Sequence, residues 1–246
     1  EMQAMDRLVR ISREEAIVSS QQTSRHLARG LAHEIKNPLG GIRGAAQLLA
    51  RALPDASLTE YTRIIIEEAD RLRDLVDRML GSHEPPVLLP VNIHEVLERV
   101  LSLIHAEYGE SISFQRDYDP SMPDIEGDRG QLLQALLNIV RNAIQALHES
   151  HTPNADIMLR TRVQRRFTIG KRQHRLVCRI DVIDKGPGIP SEMQDTIFFP
   201  MISGRADGTG LGLAISQSIM AQHHGMIECE SVPGNTRFSL YLPLDI

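Results

Sequence analysis

Gly81-Ser82-His83-Glu84-Pro85-Pro86 divides the sequence into two parts whose residue patterns differ. A glycine and two adjacent prolines within six residues interrupt both helices and strands, so this stretch is predicted to be a linker. A chain of 246 residues is long enough for two modest domains. We therefore expect one domain at residues 25–83 and a second at residues 84–246.

Before the linker, apolar residues recur at steps of three and four, which is the spacing of a helical seam. The two runs are Ala28, Leu31, Ile35, Pro38, Ile42, Ala45 and Leu49, then Leu58, Tyr61, Ile65, Ala69, Leu72, Val76 and Met79. Pro54-Asp55 separates them, and Ser57 with Glu60 forms a capping box that predicts the start of the second helix. Two such hairpins could bury their apolar faces together as a four-helix bundle, so a homodimer is expected.

After the linker, short β-branched runs alternate with capped helical segments. Asn92 with Glu95 and Asp128 with Gln131 predict two helix starts. Strands are predicted at 88–91, 112–118, 157–163, 176–183, 227–232 and 236–242, and a basic stretch at 165–175 separates the third from the fourth. The pattern indicates an α+β sandwich, with helices on one face of a mixed, largely antiparallel sheet.

Composition and charge exclude several classes of protein. The net charge of −5 disfavours non-specific binding to nucleic acid. No apolar run approaches the roughly 20 residues that span a bilayer, so no membrane contact is expected. Cys178 and Cys229 are far apart and match neither a disulfide framework nor a zinc motif. These features are typical of a cytoplasmic protein.

His33-Glu34-Ile35-Lys36-Asn37-Pro38 lies in the middle of the first predicted helix. His33 is two residues from its seam neighbours on either side, about 200° around the helix from each, so it is expected to face solvent. An exposed imidazole can act as a nucleophile at one ring nitrogen while the other donates to a carboxylate, here Glu34. An ordinary solvated histidine is the alternative; the spacing of Glu34, Asn37 and Pro38 favours a functional one.

Two asparagines on the long helix predicted after Asp128 indicate a ligand site. Asn138 and Asn142 are spaced i, i+4 and share one helical face. Asparagine is a mediocre helix former, so two of them in a helix interior need an explanation. Their carbonyl oxygens could bind Mg²⁺, which prefers oxygen ligands and brings the oxygens of a triphosphate with it. The alternative is an exposed polar face without a ligand.

Two glycine motifs complete a candidate nucleotide site. Asp184-Lys185-Gly186-Pro187-Gly188 follows a predicted strand; its carboxylate suits an amine donor such as adenine, and a plain turn is the alternative. Gly208-Thr209-Gly210-Leu211-Gly212-Leu213 precedes a helix, where backbone N–H groups can bind phosphate. Residues 191–207 are then expected to form a lid, with Phe198-Phe199-Pro200 as a hinge anchor or as local packing.

These motifs, in this order, resemble those of the histidine kinase family. The segments similar to its H, N, G1, F, G2 and final Gly-Thr elements are His33-Glu34-x-x-Asn37-Pro38, Asn138-x-x-x-Asn142-Ala143, Asp184-x-Gly186-x-Gly188, Phe198-Phe199, Gly208-Thr209-Gly210-Leu211-Gly212-Leu213 and Gly234-x-Thr236. The stretch from Leu31-Ala32-His33 through Gln47-Leu48-Leu49 and residues 199–205 resemble its nitrogen-regulation branch. The resemblance covers essentially the whole chain. It implies a GHKL-type (Bergerat) fold for the α/β sandwich, and a linker helix at residues 1–24 after an absent PAS sensor domain.

The resemblance also implies roles for individual residues. His33 is implied to be the phosphoacceptor, Glu34 its base, and Asn37 the residue that positions water in a phosphatase reaction. The implied ligands of ATP and Mg²⁺ are Asn138, Asn142, Asp184, Gly186, Gly188, Gly208, Thr209, Gly210, Leu211 and Gly212, with Asn142 and Asn138 at the metal. Related ATPases carry Glu where Asn138 stands, so transfer to His33 is expected over hydrolysis.

The implied partners are a second copy of the chain, an NtrC-like response regulator and a PII-like regulatory protein. One departure from the branch is Lys185, where relatives usually carry Asn. A cation beside the nucleotide could weaken the kinase, which leaves a phosphatase-dominant protein as one alternative. A dimeric docking scaffold that binds nucleotide only as a conformational ligand is the other.

Overall fold

A computed structural model of the protein describes residues 35–53, 56–80, 85–109, 111–150, 156–204 and 210–244. These residues fall into two compact units, a helical unit between residues 35 and 80 and an α+β unit between residues 85 and 244. Among the helices in these ranges, none is long and apolar enough to cross a membrane.

The helical unit contains two helices joined by a short connection. Helix α1 covers residues 35–52 and helix α2 covers Ala56–Leu80. Nε of Arg43 on α1 donates to Oδ1 of Asp70 on α2 at 2.7 Å, which links the two helices. The predicted helical hairpin is confirmed. Ser57 already belongs to α2, so the helix begins earlier than the predicted capping box.

The apolar residues of the helical unit divide into a buried set and an exposed set. The buried side chains are mostly small: Leu39, Ala46, Thr62 and Ala69. The large exposed ones are Ile35, Ile42, Leu48, Leu49, Leu58, Tyr61, Ile64, Ile65 and Leu72. The predicted seam through Ile35, Ile42 and Leu49 therefore does not pack within one hairpin. An exposed apolar surface of this extent is typical of a protein–protein contact.

The α+β unit is built on two sheets. Its strands in the described ranges are β1 (Leu89–Val91), β2 (Ser113–Asp117), β3 (Ile125–Gly127), β4 (Asp156–Ile169), β5 (Arg172–Asp184), β6 (Met226–Val232) and β7 (Asn235–Pro243). Five strands form the main sheet in the order β2-β4-β5-β7-β6, and β1 pairs with β3. β2 and β4 are parallel, whereas the other neighbours are antiparallel. The predicted mixed, largely antiparallel sheet is confirmed.

Four helices of this unit are described: α3 (Ile93–Tyr108), α4 (Arg129–Glu149), α5 (Ser191–Gln194) and α6 (Gly212–Gln222). The predicted polar caps start two of them. Asn92 accepts hydrogen bonds from the backbone N–H groups of His94 and Glu95 at the start of α3. Asp128 accepts from those of Gly130 and Gln131 at the start of α4. Each cap satisfies donors that the first helical turn leaves unpaired.

One face of the main sheet packs into the core with α3, α4 and α6. In β5, Cys178, Ile180 and Val182 alternate with residues of the opposite face and are buried in that core. Because every second residue of a strand points to the same side, Asp184 at the end of β5 also points to the helical side of the sheet. This placement decides where the candidate site can lie.

The hairpin of β4 and β5 is longer than predicted. Residues 165–175, expected to separate the two strands, belong mostly to the strands themselves. The ring of Phe167 stacks on Tyr241 with centroids 4.2 Å apart, and Val177 joins this small cluster. Because charged residues are frequent in this stretch, its sequence does not indicate the few apolar contacts that hold the hairpin together. Strand β3 and the short helix α5 were not predicted either.

Candidate active site

The predicted site residues lie in both units. Asn37 is an exposed residue of α1. His33 and Glu34 lie outside the described residues, as do Gly208 and Thr209. Every other predicted ligand of the nucleotide lies in the α+β unit.

Helix α4 carries the central side chains of the candidate site. Asn138, Asn142 and Ala146 follow one another at intervals of four, so they form one stripe along the helix. From end to end, the stripe is about 12 Å long at the rise of an α-helix. Its residues are half-buried, whereas Ile139 and Val140 on the other side of the helix are buried in the core. A ligand can therefore reach the stripe.

The second glycine motif contacts the Asn138 end of this stripe. Nδ2 of Asn138 donates to the carbonyl oxygen of Gly212 at 3.2 Å. A Cβ at position 212 would lie 3.7 Å from the Cβ of Asn138, so the start of α6 approaches α4 closely. Gly210 has a φ of 63°, and a Cβ there would lie 2.6 Å from the carbonyl carbon of Met201. Only glycine fits that position. Leu211, between the two glycines, is buried.

The first glycine motif contacts the Ala146 end of the stripe. Asp184 is 2% exposed, and its Oδ1 accepts from the backbone N–H of Gly186 at 2.8 Å. A Cβ at position 186 would lie 3.3 Å from the Cβ of Ala146. The loop after β5 is therefore packed against α4. The two glycine motifs lie at opposite ends of one stripe, and Asn142 is between them.

The turn between β6 and β7 supports the loop from the other side. Gly188 has a φ of 85°, and a Cβ there would lie 2.9 Å from the backbone nitrogen of Pro233. The backbone N–H of Gly234 donates to the carbonyl oxygen of Gly186 at 2.9 Å. The final glycine element of the sequence is thus in direct contact with the first. Thr236, two residues further, is the register partner of Asp184.

Two residues that the sequence did not single out hold the end of the same loop. Oγ of Ser231 accepts from the backbone N–H of Ile189 at 2.8 Å. Nε2 of Gln194 donates to the carbonyl oxygens of Ile189 and Ser231, each at 2.9 Å. A serine in a strand and a glutamine in a short helix match no motif. Only the tertiary structure brings these residues together.

Lys185 points away from the candidate nucleotide site. It lies just beyond the end of β5, and its ion-pair partner Asp156 directly precedes Ile157, which is buried in the core with the helices; Asp156 therefore points to the opposite face of the sheet. There its Nζ is 3.6 Å from Oδ2 of Asp156, the first residue of β4. Lys185 is therefore paired on the face of the sheet opposite α3, α4 and α6.

Residues after α5 form the base of the predicted lid. Ile197 is buried, and the ring of Phe198 meets that of Phe238 edge to face with centroids 6.5 Å apart. At the far end, the backbone N–H of Met201 donates to the carbonyl oxygen of Gly210 at 3.1 Å. The described part of the predicted lid is thus fixed to the α+β unit at Ile197, Phe198 and Met201; residues 205–207 of the predicted lid lie outside the described residues. Phe198 packs on the core, as expected of either an anchor or local packing.

His223 connects α4 to α6 behind the site. Its Nε2 accepts from the backbone N–H of Asp128 at 2.9 Å, and its Nδ1 lies 2.8 Å from the carbonyl oxygen of Ile219. These contacts require a neutral imidazole with the proton on Nδ1. Burial lowers the pKa of His223, although the Ile219 carbonyl and the Asp128 carboxylate favour the charged form. The helix that carries the asparagine stripe therefore depends on a neutral histidine.

Known proteins with the same features fall into one group. Residues 23–83 match the His Kinase A (phospho-acceptor) domain. Residues 127–246 match the histidine kinase-, DNA gyrase B- and HSP90-like ATPase domain. The sensory histidine kinase/phosphatase NtrB of Klebsiella oxytoca is 54% identical over 99% of this chain and 69% of its own length.

Solved structures give the same grouping. Full-length ShkA in complex with AMPPNP has a TM-score of 0.59 at 27% identity, over 89% of this chain and 45% of that one. Histidine kinase ThkA in complex with the response regulator protein TrrA has a TM-score of 0.57 at 27% identity, over 97% of this chain and 67% of that one.

A phosphoacceptor-type helical unit followed by an ATP-binding α+β unit defines a protein-histidine kinase of the two-component class. The predicted class of enzyme is therefore confirmed. More narrowly, the chain belongs to the NtrB family of sensory histidine kinase/phosphatases.

Proposed function

We propose that this chain transfers the γ-phosphoryl group of ATP to its own His33 and then to an aspartate of an NtrC-like response regulator in the cytoplasm. The observation that carries the nucleotide part is the Asn138–Asn142–Ala146 stripe between Gly186 and Gly212. A nucleotide laid along this stripe has its base at the Asp184 end and its phosphates at the Gly210 and Gly212 end.

The base end suits adenine because of one fixed carboxylate. The Gly186 N–H orients Oδ1 of Asp184, so that the carboxylate can accept a hydrogen bond from the exocyclic amine. The phosphate end offers the backbone N–H groups at the start of α6, where the helix dipole favours negative charge. Gly208 and Thr209 are proposed to complete this end.

The residues present also fit Mg²⁺. In the ranges that the structure describes, no cluster of three His, Cys, Asp or Glu side chains could hold a metal ion by itself. Mg²⁺ in nucleotide sites is bound by one or two oxygen side chains together with phosphate oxygens. Asn142 is proposed as the principal ligand, with the side-chain oxygen of Asn138 beside it. When bound, the ion neutralises charge on the phosphates.

The transfer step is proposed to use His33 and Glu34. One imidazole nitrogen forms a bond to the γ-phosphorus while the bond from that phosphorus to the bridging oxygen of ADP breaks. The proton on the other ring nitrogen is held by Glu34. Asn37 is exposed on α1. It is proposed to position a water molecule when the protein acts as a phosphatase and removes the phosphoryl group from its regulator. Asn138 in place of an acidic base disfavours simple hydrolysis.

Three protein partners are proposed, with neither nucleic acid nor membrane among them. The large exposed apolar residues of α1 and α2 support a homodimer with a four-helix bundle. The complex of ThkA with TrrA supports a response regulator, here NtrC-like, as the acceptor. Relatedness to NtrB supports nitrogen regulation through a PII-like protein. We propose residues 25–83 as the dimerisation and phosphotransfer domain and residues 84–246 as the catalytic domain; residues 1–24 are proposed as the helix that joins them to a sensor.

The position of Lys185 favours kinase over phosphatase-dominant activity. A cation beside the nucleotide was one of the reasons for that alternative. The ion pair of Lys185 with Asp156 on the other face of the sheet argues against this reason.

Labelling with γ-³²P-ATP tests the proposal. The wild-type chain should become labelled, the label should be acid-labile, and His33→Gln should abolish it. His94→Gln is the matched control, because His94 lies in α3 and is not in the proposed site; it should label normally. Label that persists in His33→Gln would contradict the proposal. Loss of label from a phosphorylated regulator without any autophosphorylation would instead identify a phosphatase.

A further inference from the structure

The loop that presents Asp184 is held at its far end by a set of hydrogen bonds from outside the known motifs. Oγ of Ser231 accepts from Ile189 N–H at 2.8 Å and is 2.8 Å from Oγ1 of Thr236. Thr236 lies opposite Asp184 on the neighbouring strand. The backbone of Ile189 is therefore tied, through one serine, to the strand position that faces the adenine-binding carboxylate.

Gln194 holds the same loop with its side-chain amide. Its Nε2 donates both to the carbonyl oxygen of Ile189 and to that of Ser231, so both protons of one amide are used. Ile189 thus has its N–H and its carbonyl fixed by two different side chains. Gln194 is the last residue of α5, where the lid begins.

The far end of the loop therefore has little freedom. Gly188, one residue before Ile189, is wedged against Pro233 with a φ of 85°. Gly186 orients Asp184 through its N–H. A change at Ile189 is transmitted through three residues to the carboxylate, because each residue between them is fixed by contact or by backbone conformation.

We propose that Gln194 and Ser231 are positioning residues for recognition of the adenine base, an inference that rests on the proposed nucleotide site. They contact neither ATP nor the reacting atoms. They hold the loop so that the Asp184 carboxylate is preorganised for the amine of the base. The same contacts fix the first turn of the predicted lid.

The inference separates base recognition from phosphate recognition. The phosphate end of the proposed site is formed by Gly210, Gly212 and Asn138, whereas the hydrogen bonds of Gln194 and Ser231 described above are made with Ile189, Thr236 and each other. Loss of the loop anchors should therefore weaken ATP binding without weakening the binding of a ligand that has phosphates but no base. Inorganic tripolyphosphate with Mg²⁺ is such a ligand.

The experiment compares Ser231→Ala and Gln194→Met in the full chain. Each should raise the apparent KM for ATP in autophosphorylation about tenfold, the effect of losing one or two hydrogen bonds. The maximal labelling rate and the inhibition constant of tripolyphosphate should stay within twofold of wild type. Gln173→Met, at an exposed glutamine of β5, is the matched control and should change neither quantity.

Conservative variants guard against simple unfolding. Ser231→Thr keeps the hydroxyl and should restore the wild-type KM. Gln194→Glu keeps the shape but places a carboxylate against two carbonyl oxygens, so it should raise the KM at least as much as Gln194→Met. Thermal unfolding midpoints show whether each variant is folded. A wild-type KM in Ser231→Thr together with a raised KM in Gln194→Glu indicates loss of hydrogen bonds, because mere loss of packing does not produce this pattern.

Each other outcome overturns the inference. If the tripolyphosphate constant rises in parallel with the KM for ATP, the two residues support the whole site rather than the base. If the KM for ATP is unchanged, the anchors are dispensable. If the wild-type chain itself neither binds ATP nor becomes labelled, the proposed function fails first, and the two failures are distinguished.

Discussion

The side-chain amide of Asn138 donates to the carbonyl oxygen of Gly212 at 3.2 Å, and this bond joins the asparagine helix α4 to the start of α6. Asn138 was expected to act through its oxygen, as a ligand of Mg²⁺. Its nitrogen has a separate role, because it holds the glycine turn at the start of α6 against α4. Metal binding by the oxygen and the hydrogen bond from the nitrogen predict different effects for the substitution Asn138→Asp.

Asn138→Asp keeps the oxygen and removes the donor. Its carboxylate then faces the Gly212 carbonyl without a proton to share, so we expect ADP to bind about tenfold more weakly. The loss should be similar with Mg²⁺ and with EDTA, as measured by titration calorimetry. A loss confined to the Mg²⁺ titration, or tighter Mg²⁺-dependent binding, would show that metal binding is the main task of Asn138.

Lys185→Asn restores the residue that relatives usually carry, and we expect little change. Lys185 is exposed and its Nζ is 3.6 Å from Oδ2 of Asp156, so we expect the ion pair to contribute at most about 1 kcal/mol to stability. The KM for ATP should stay within twofold of the wild-type value in the labelling assay. Asp184→Asn, one residue earlier but on the nucleotide side, should abolish measurable ATP binding. A large effect of Lys185→Asn on KM would contradict this assignment of faces.

Phe167→Ala should destabilise the β4–β5 hairpin and leave the nucleotide site intact. Phe167 is 8% exposed and stacks on Tyr241, so its truncation should lower the free energy of unfolding by about 3 kcal/mol in urea denaturation. ADP affinity should stay within twofold, because the cluster lies on the sheet face opposite α3, α4 and α6. Phe198→Ala, at the base of the lid, should lower both stability and affinity. Equal effects of the two variants on affinity would contradict the separation.

The sequence predicted most of the fold because local signals agreed with the tertiary structure. The caps at Asn92 and Asp128 fix where α3 and α4 begin, and each depends only on residues within one turn. The predictions that were wrong involve longer range. Residues 165–175 were expected to separate two strands, but they belong mostly to the strands themselves, and Phe167 stacks on Tyr241 there. That contact joins residues far apart in the chain, so no local pattern indicates it.

The site shows the same division between local and long-range information. Gly186 and Gly212 could be singled out as candidate ligand-binding residues because their motifs are contiguous. That they contact two ends of one stripe could not be predicted, since the contacts join residues far apart in the chain. For the same reason, the sequence did not indicate the contacts of Ser231 and Gln194. It also did not indicate the direction in which the side chain of Lys185 points. That direction depends on where β5 ends, which sequence patterns locate only to within a few residues.

Stability of the α+β unit should decrease as the pH falls below neutrality. The pKa of His223 is lowered from its ordinary value of 6.5 by burial, so above that pH the residue is neutral both folded and unfolded. As the pH falls through 6.5, the unfolded chain takes up the proton more readily, and the free energy of unfolding declines. Urea denaturation of residues 84–246 between pH 7.5 and pH 5.5 should show this slope.

His223→Gln provides the control for this pH dependence. Glutamine can still accept from the Asp128 N–H, but it does not titrate, so the variant should have a shallower slope at a lower overall stability. A residual slope is expected from His94, whose pKa burial also lowers. An unchanged slope in the variant would show that His223 does not contribute.

Ile42→Glu should convert a dimer of this chain into a monomer. Ile42 is 50% exposed on α1 in a single chain, among the large apolar residues that the hairpin leaves uncovered. A charge there costs little in an isolated hairpin but several kcal/mol if a second copy buries the position without a partner for the carboxylate. Light scattering after size exclusion should give the mass of two chains for wild type and of one for the variant. Gln47→Glu, also exposed on α1, adds the same charge at a polar position and should remain dimeric.

Because ADP binding lies within the α+β unit, it should persist in the Ile42→Glu monomer, whereas autophosphorylation should fall if the labelled histidine receives its phosphoryl group from the other copy. A variant that is still dimeric would place the dimer contact on another surface.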